Sequence, residues 1–201
     1  MTTSSRLIWV RHGQTHANID KVWHGHTDTP LTELGHDQAR RLGGHFHRVM
    51  APDAIYASPL QRAHHTARAI AGPLGLEVRI EPRLAEFSLG DWEGASFQSI
   101  TDKLDVGRRL FGDPDFAPPN GDSQLRVRNR MVAALEEILD RHGGENVVVV
   151  SHGVAMGIAF SHYLHDDTTR WMDYIKQNTA YSEFCPRRRQ MTFFNRTDHL
   201  D

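Results

Sequence analysis

Short apolar runs alternate with amphipathic stretches along most of the chain. Runs rich in β-branched and aromatic residues predict strands at 7–10, 54–57, 78–80, 146–151, 179–184 and 190–194. Apolar residues at helical spacing predict helices at 33–48, 58–71, 97–104, 123–142, 154–164 and 167–173. The strand at 146–151 carries four consecutive valines, a pattern typical of burial on both faces of a parallel sheet. This order of elements predicts an α/β fold, a three-layer α/β/α sandwich around a mostly parallel central sheet.

The pattern predicts a single domain over residues 1–201, because no repeat, low-complexity segment or linker interrupts it. Residues 87–122 depart from the regular alternation. They are rich in glycine, proline and aromatic side chains, and they predict an elaborated loop or cap. Ser58 and Pro59, a capping hydroxyl followed by proline, predict the start of the second helix.

Composition argues against several classes of protein. The chain has 23 Lys+Arg and 25 Asp+Glu, and a formal net charge of −2 disfavours a nucleic-acid partner. The mean hydropathy is −0.52, and no apolar run approaches the ~20 residues of a membrane-spanning helix. We expect a cytoplasmic protein, since no secretory signal is visible and the single cysteine, Cys185, cannot form an intramolecular disulfide. A homodimer is left open.

The histidines and basic residues have an unusual distribution. There are 14 histidines, and the only lysines are Lys21, Lys103 and Lys176. Arginine suits the planar, bidentate recognition of phosphate and carboxylate groups. Codon bias is nevertheless the simplest explanation for most of these residues, and we predict no metal site among the histidines.

Chemically active side chains follow three of the predicted strands. The three groups are Arg11-His12-Gly13, Ser58-Pro59 with Arg62, and Ser151-His152-Gly153. The carboxyl ends of parallel strands meet at one edge of a sheet, where ligands of α/β proteins bind. Cationic groups gathered there would repel one another unless an anion binds between them. Phosphate is the candidate, since its oxygens accept several charge-assisted hydrogen bonds.

Five ordered motifs resemble those of the histidine phosphatase superfamily, in its phosphoglycerate-mutase-like branch. They are Arg11-His12-Gly13-Gln14-Thr15 with Asn18, Thr29-Pro30-Leu31-Thr32 with Gly35, Ala57-Ser58-Pro59-Leu60-Gln61-Arg62-Ala63 with Thr66 and Ala67, Leu84-Ala85-Glu86-Phe87 with Gly90, Trp92, Glu93 and Gly94, and Val150-Ser151-His152-Gly153. They span most of the chain. Asp122 stands where the family usually has glutamate, so its role is in doubt.

The resemblance implies a catalytic set of Arg11, His12, Arg62, Glu86 and His152. His12 would be the nucleophile that takes the phosphoryl group, with its other ring nitrogen held by a backbone carbonyl. Arg11, Arg62 and His152 would contact the phosphoryl oxygens, where charge gathers in the transition state. Glu86 would donate a proton to the leaving alcohol, a role that requires a protonated carboxyl at rest. These groups would replace a divalent metal, so neither a metal nor a cofactor is expected.

The family also implies substrate-binding positions. Asn18 would add a neutral donor, and His24 and Gly25 follow the first motif, where the family lines the mouth of the pocket. Gly153 belongs to a His-Gly pair that permits close approach of the backbone to an anion. Glu93, in Trp-Glu-Gly, is interpreted as a scaffold residue.

These features predict a phosphatase that hydrolyses a small-molecule phosphate ester through a phosphohistidine. The chain is similar to broad-specificity phosphatases and to α-ribazole phosphatases. A cofactor-dependent phosphoglycerate mutase and a non-catalytic phosphate-ester binding module are the alternatives. Aromatic residues of the 87–122 loop are candidates to hold a bulky leaving group: Phe87, Trp92, Phe97, Phe111 and Phe116.

Overall fold

The computed structural model describes residues 6–102 and 104–201, and within them six strands form one mixed sheet. The strands are β1 (Arg6–Arg11), β2 (Ala54–Ala57), β3 (Val78–Ile80), β4 (Asn146–Ser151), β5 (Tyr181–Cys185) and β6 (Gln190–Arg196). Their order across the sheet is β3-β2-β4-β1-β5-β6. The four strands from β3 to β1 in this order pair in parallel, whereas β5 pairs antiparallel with β1 and β6 pairs antiparallel with β5. The predicted mostly parallel sheet is confirmed.

Helices cover both faces of this sheet. They are α1 (His16–Asp20), α2 (Glu33–Val49), α3 (Gln61–Ala71), α4 (Phe97–Thr101), α5 (Leu104–Gly112), α6 (Gln124–Arg141) and α7 (Gly153–His165). Leu7 and Trp9 of β1 join a buried cluster with side chains of α6 and α7. Ile8 and Val10 point the other way, into a cluster with α2 and α3. This alternation confirms the three-layer sandwich.

Short 3₁₀ turns connect several of these elements. They lie at Gly72–Leu74, Pro82–Leu84, Gly90–Trp92, Thr169–Tyr174 and Pro186–Arg188. Thr169–Tyr174 replaces the helix predicted at 167–173, and α1 forms where no helix was predicted. None of the helices in the described ranges has the length and apolar character needed to cross a membrane.

Two further helix predictions need correction. The helix after β2 begins at Gln61 rather than at Ser58, with Leu60 as its N-cap residue and no side-chain capping bond. The Ser58 hydroxyl is used elsewhere, because it lies 2.7 Å from Nε2 of the distant His152. The helix predicted at 97–104 is instead two helices, α4 and α5; Lys103, between them, lies outside the described residues.

The predicted strand at 179–184 starts late because of one backbone conformation. Thr179 has φ 56°, the left-handed region that a β-branched residue rarely adopts. Its amide N–H donates to the carbonyl oxygens of Arg11 (3.0 Å) and His12 (3.2 Å). This turn fastens the start of β5 to the end of β1.

The register of the parallel strands brings the three motif ends together. Arg11 at the end of β1 pairs with Ser151 at the end of β4. On the other side of β4, the amide of Ser58 donates to the carbonyl of Val150 at 3.0 Å. His12, Ser58 and His152 therefore follow three adjacent strands, as the sequence motifs predict.

Candidate active site

A cavity of about 580 Å³ opens at this edge of the sheet. Most of the predicted site residues line it: Arg11, His12, Asn18, His24, Arg62, Glu86 and Gly153. His152 is fully buried beside His12, with their ring centroids 5.2 Å apart, and is not part of the wall. The cavity thus has a deep end rich in cationic groups, where a phosphoryl group would be held.

His12 has the tautomer and charge of a nucleophile. Its Nδ1 lies 2.7 Å from the carbonyl oxygen of Gly13, so Nδ1 carries the hydrogen and donates it. The free lone pair of the neutral ring is therefore on Nε2. Burial, followed by the nearby Arg62 and Arg11 guanidinium groups, lowers the pKa of His12 well below its usual range. The ring is neutral at pH 7, and the expected backbone carbonyl partner is present.

Arg62 is held by the backbone of the loop that follows α1. Its guanidinium donates to the carbonyl oxygens of Thr27 (3.0 Å), His24 (3.3 Å) and Gly25 (2.8 Å). Burial lowers the pKa of Arg62, and the carboxylate of Glu86 opposes that change. The carbonyl oxygens fix the guanidinium without neutralising its charge, which leaves it available to an anion.

Arg11 reaches the same end of the cavity from β1. One terminal nitrogen donates to the carbonyl oxygen of Lys176. Among the described residues, nothing accepts a hydrogen bond from its buried Nε. Burial lowers the pKa of Arg11, with Glu86 raising it and Arg62 lowering it further. A buried donor without an acceptor is rare in folded proteins and marks a place where a ligand oxygen fits.

His152 contributes a second buried nitrogen without a partner among the described residues, which is a donor when the Ser58 hydroxyl donates to Nε2. Its Nε2 lies 2.7 Å from the hydroxyl of Ser58, and its buried Nδ1 has no partner in the described part of the chain. Burial, together with Arg62 and His12, lowers the pKa of His152 well below its usual range. The cost of leaving such a polar atom unpaired is about 1–3 kcal/mol, which a bound oxygen would remove.

Glu86 lies at the N-terminus of α7. Its carboxyl oxygens accept hydrogen bonds from the amides of Phe87 (2.9 Å), Ala155 (2.8 Å) and Val154 (3.2 Å). All three contacts use these oxygens as acceptors, and they place the carboxyl group at the positive end of the helix dipole. The proposed role requires a protonated carboxyl at rest, and proton donation by Glu86 stays a prediction.

The backbone of Glu86 is braced by two side chains. Arg130 of α6 donates to its carbonyl oxygen at 2.8 Å, as does His26 through Nε2 at 2.8 Å. Arg130 also donates to Asp122 at 3.2 Å, and Asp122 accepts from the amide of Ser88 at 3.1 Å. Asp122, whose role the motif left in doubt, thus supports the segment that carries Glu86. The sequence did not predict this role of Arg130, since no motif surrounds it and its contacts depend on how α6 packs.

Asn18 holds the first motif together. Its Oδ1 accepts from the amide of Thr15 at 3.1 Å and from Nδ2 of Asn178 at 3.0 Å. Asn178 also donates to the carbonyl of His12 at 3.0 Å and lines the cavity. The sequence reasoning missed Asn178, since it lies far along the chain, just before the strained turn at Thr179.

Gly25 is placed differently from the other predicted substrate-binding residues. It does not line the cavity, and its carbonyl supports Arg62 instead. A Cβ at this position would lie 2.4 Å from a carboxyl oxygen of Glu93 and 2.4 Å from the carbonyl of Phe87. Close packing therefore explains the glycine. His24 does line the cavity, and burial, with Arg62, lowers the pKa of its ring.

The cavity mouth is apolar, but not through the residues that the sequence suggested. The cavity wall does not include four of the aromatic residues that the sequence suggested, Phe87, Trp92, Phe111 and Phe116. Phe87 is buried in the core, and Trp92 packs with Phe116. The side chain of Phe97, the fifth, lies outside the described part. The apolar lining comes instead from Trp23 and from the segment after α7: Trp171, Met172 and Ile175.

No group of three or more His, Cys, Asp or Glu side chains within residues 6–102 and 104–201 is arranged to hold a metal ion. The paired histidines of the sequence have other contacts. His26 braces Glu86, and His64 and His65 lie on α3 with ring centroids 6.1 Å apart.

Comparison with known proteins gives consistent matches. The model of the histidine phosphatase superfamily (branch 1) matches residues 7–198. Phosphoserine phosphatase 1 of Hydrogenobacter thermophilus is 34% identical over 199 residues, 97% of this chain and 94% of that protein. A probable phosphoglycerate mutase of Enterobacter sp. is 36% identical over 158 residues, 78% of this chain and 73% of that protein.

A solved structure has the same fold. Phosphoserine phosphatase of Entamoeba histolytica, in complex with phosphoserine, superposes with a TM-score of 0.88 at 29% sequence identity. The match covers 98% of this chain and 100% of that one. The similarity therefore extends over the whole sheet and its helices, including the segments that carry the cavity.

Proposed function

The chain belongs to the histidine phosphatase superfamily, and on that premise we propose that it hydrolyses a small-molecule phosphate monoester through a phosphohistidine on His12. The resemblance found in the sequence motifs is confirmed by this membership, and so is the phosphatase class. Phosphoserine is one candidate substrate, because relatives that match nearly the whole chain bear the name phosphoserine phosphatase.

One observation carries the proposal: a neutral, oriented histidine lies beside two buried guanidinium groups and beside two buried nitrogen atoms without partners in the described part of the chain. The lone pair of His12 is on Nε2, since Nδ1 donates to Gly13. Arg11 Nε and His152 Nδ1 are buried without partners in the described ranges. A phosphoryl group between these residues would accept their hydrogen bonds and offset the repulsion between Arg11 and Arg62.

The first half-reaction transfers the phosphoryl group to the protein. The Nε2 lone pair of His12 forms a bond to phosphorus while the bond from phosphorus to the ester oxygen breaks. Arg11, Arg62 and His152 would stabilise the charge on the three equatorial oxygens. The departing alkoxide takes a proton from Glu86, which becomes a carboxylate.

The second half-reaction returns the protein to its starting state. Glu86, left as a carboxylate by the first half-reaction, takes a proton from water as the water oxygen bonds to phosphorus. The bond from phosphorus to Nε2 breaks, and the electron pair returns to His12. The sum is ester plus water giving alcohol plus inorganic phosphate, with no metal or cofactor in any step.

Hydrolysis of p-nitrophenyl phosphate in the presence of EDTA tests the proposal. We expect turnover by the wild type and a loss of roughly 10³-fold or more in His12→Ala, since the nucleophile is removed. His47→Ala, at an exposed position of α2, is the matched control and should keep full activity. An inactive wild type, or full activity in His12→Ala, would overturn the proposal.

A phosphoglycerate mutase is the second candidate, supported by the Enterobacter relative. It would share the transfer to His12 but return the phosphoryl group to a second hydroxyl instead of to water. Offering 3-phosphoglycerate with and without a 2,3-bisphosphoglycerate primer separates the two. A hydrolase releases inorganic phosphate, whereas primer-dependent formation of 2-phosphoglycerate at a much higher rate would identify a mutase.

A further inference from the structure

The outer half of the cavity is lined by large apolar side chains. Trp23 and Trp171 lie side by side, with ring centroids 6.0 Å apart. Met172 and Ile175 line the cavity as well, although these residues are exposed, at 52% and 39% of their surface. Exposed apolar groups beside a cationic pocket are costly in water, and they gain free energy when a ligand covers them.

Contacts on its hidden side hold this apolar wall in place. Gly157 of α7 packs so closely against the wall that a Cβ there would lie 2.5 Å from the carbonyl oxygen of Trp171. At the other end, the buried Lys176 donates through Nζ to the carbonyl of Trp9 at 2.9 Å. The segment 171–176 is therefore fixed to α7 and to β1, and a ligand would meet a preformed surface there.

The mouth offers little to a second anionic group. Arg11 and Arg62 lie at the deep end, where the phosphoryl group would occupy them. Lys21 lines the mouth, but its side chain is exposed to solvent. Among the described residues that line the mouth, His24 is the other basic group, and burial lowers the pKa of its ring, so it is neutral at pH 7. Of the cationic side chains among the described lining residues, a carboxylate next to the scissile phosphate would meet one solvated ammonium group.

The geometry points to a substrate whose leaving alcohol carries an aromatic or branched apolar group, seated against Trp23, Met172 and Ile175. This inference rests on the proposed phosphatase activity and names the substrate class of that site. Ile175 marks the boundary between the two halves of the cavity, because its Cδ1 lies 3.5 Å from where a Cβ on Gly153 would stand. The phosphoryl group binds on the inner side of this boundary, and the apolar group of the alcohol binds on the outer side.

Three esters of primary alcohols test the inference with little difference in leaving-group chemistry: ethyl phosphate, 2-phenylethyl phosphate and O-phosphoserine. We expect the phenyl group to raise kcat/KM at least tenfold over ethyl phosphate, and phosphoserine to gain no such advantage. Met172→Gln should reduce the ratio of phenylethyl to ethyl kcat/KM by about tenfold, because a polar side chain replaces apolar contact. Leu34→Gln is the matched control, since Leu34 is 51% exposed on α2, outside the cavity wall, and should keep the wild-type ratio.

The outcomes separate this inference from the function on which it rests. If the wild type hydrolyses neither p-nitrophenyl phosphate nor any of the three esters, the phosphatase proposal fails and the inference fails with it. If it hydrolyses p-nitrophenyl phosphate but not 2-phenylethyl phosphate, only the inference is overturned. If ethyl phosphate is hydrolysed through His12 but the phenyl group brings no gain, only the inference is overturned. It is also overturned if phosphoserine is the preferred ester, and a selective loss of that preference in Lys21→Met would assign it to the ammonium group at the mouth.

Discussion

Glu93 is predicted to hold the loop that positions Arg62, although it touches neither the cavity nor the arginine. One carboxyl oxygen accepts from the amides of His26 (2.8 Å) and Leu89 (3.0 Å). The other accepts from the amides of Gly25 (3.1 Å) and Thr27 (3.0 Å) and from the Thr27 hydroxyl (2.6 Å). A single carboxylate thus joins two stretches of backbone that are distant in sequence.

The substitution Glu93→Gln retains the size of the side chain but leaves one acceptor oxygen. In either orientation of the amide, its NH₂ group faces two backbone N–H donors. An unpaired buried donor costs about 1–3 kcal/mol, so the two together cost about 2–6 kcal/mol. Glu93 is only partly buried and water relieves part of this, so we expect about 2–3 kcal/mol in the free energy of unfolding. Looser carbonyl contacts to Arg62 should also lower kcat/KM.

Urea unfolding followed by circular dichroism measures this loss, with Glu77→Gln, at an exposed position on the surface, as control. Burial raises the pKa of Glu93, but hydrogen bonds from Thr27, His26 and Leu89 outweigh it and lower the pKa below the ordinary 4.5. The stabilisation is therefore complete above pH 4.5 and is lost as the pH falls through the lowered pKa. A Glu93→Gln protein as stable as wild type at pH 7, with unchanged kcat/KM, would refute the reasoning.

Three further outcomes follow from the same contacts. Arg62→Lys should lower kcat/KM by about 10²–10³-fold without changing the circular dichroism spectrum, because an ammonium cannot reproduce the guanidinium fork; a loss under tenfold would contradict this. Gly35→Ala should lower the free energy of unfolding by about 1–3 kcal/mol or more in urea titrations, since its Cβ would lie 2.1 Å from the carbonyl of Gln14, and unchanged stability would count against that packing. Because folding lowers the pKa of His12, a decrease in pH protonates this ring in the unfolded chain, near pH 6.5, before it protonates the ring in the folded protein. As the pH is lowered from 6.5, the free energy of unfolding should therefore decrease more steeply in wild type than in His12→Gln, by up to about 1.4 kcal/mol per pH unit. Parallel pH profiles of the two proteins would exclude this effect.

The parallel core of the fold was predictable because its signal is local. The valines of β4 and the apolar run of β1 are buried on both faces, and an unbroken apolar run is what such strands require. The start of α3 was not predictable, because Ser58 bonds to His152, 94 positions away, instead of capping the helix. The left-handed turn at Thr179 depends likewise on two carbonyl oxygens at the end of β1.

The candidate site divides in the same way. Its deep end could be predicted, because His12 and His152 follow adjacent strands whose ends must meet. Its mouth could not, because Trp171 and Ile175 belong to a segment without a motif. That segment is positioned by its packing against Gly157 and by the buried Lys176, and no local pattern reveals such long-range contacts.

The most direct test of the account is to identify the atom that carries the phosphoryl group. The protein would be mixed with ³²P-labelled substrate and quenched in alkali, where phosphohistidine survives, and the label would be located by peptide mapping and ³¹P NMR. Because Nδ1 of His12 donates a hydrogen bond to the carbonyl oxygen of Gly13, the account predicts phosphate on Nε2 of His12 and none in His12→Ala. Label on Nδ1, on another residue, or undiminished in His12→Ala would contradict it.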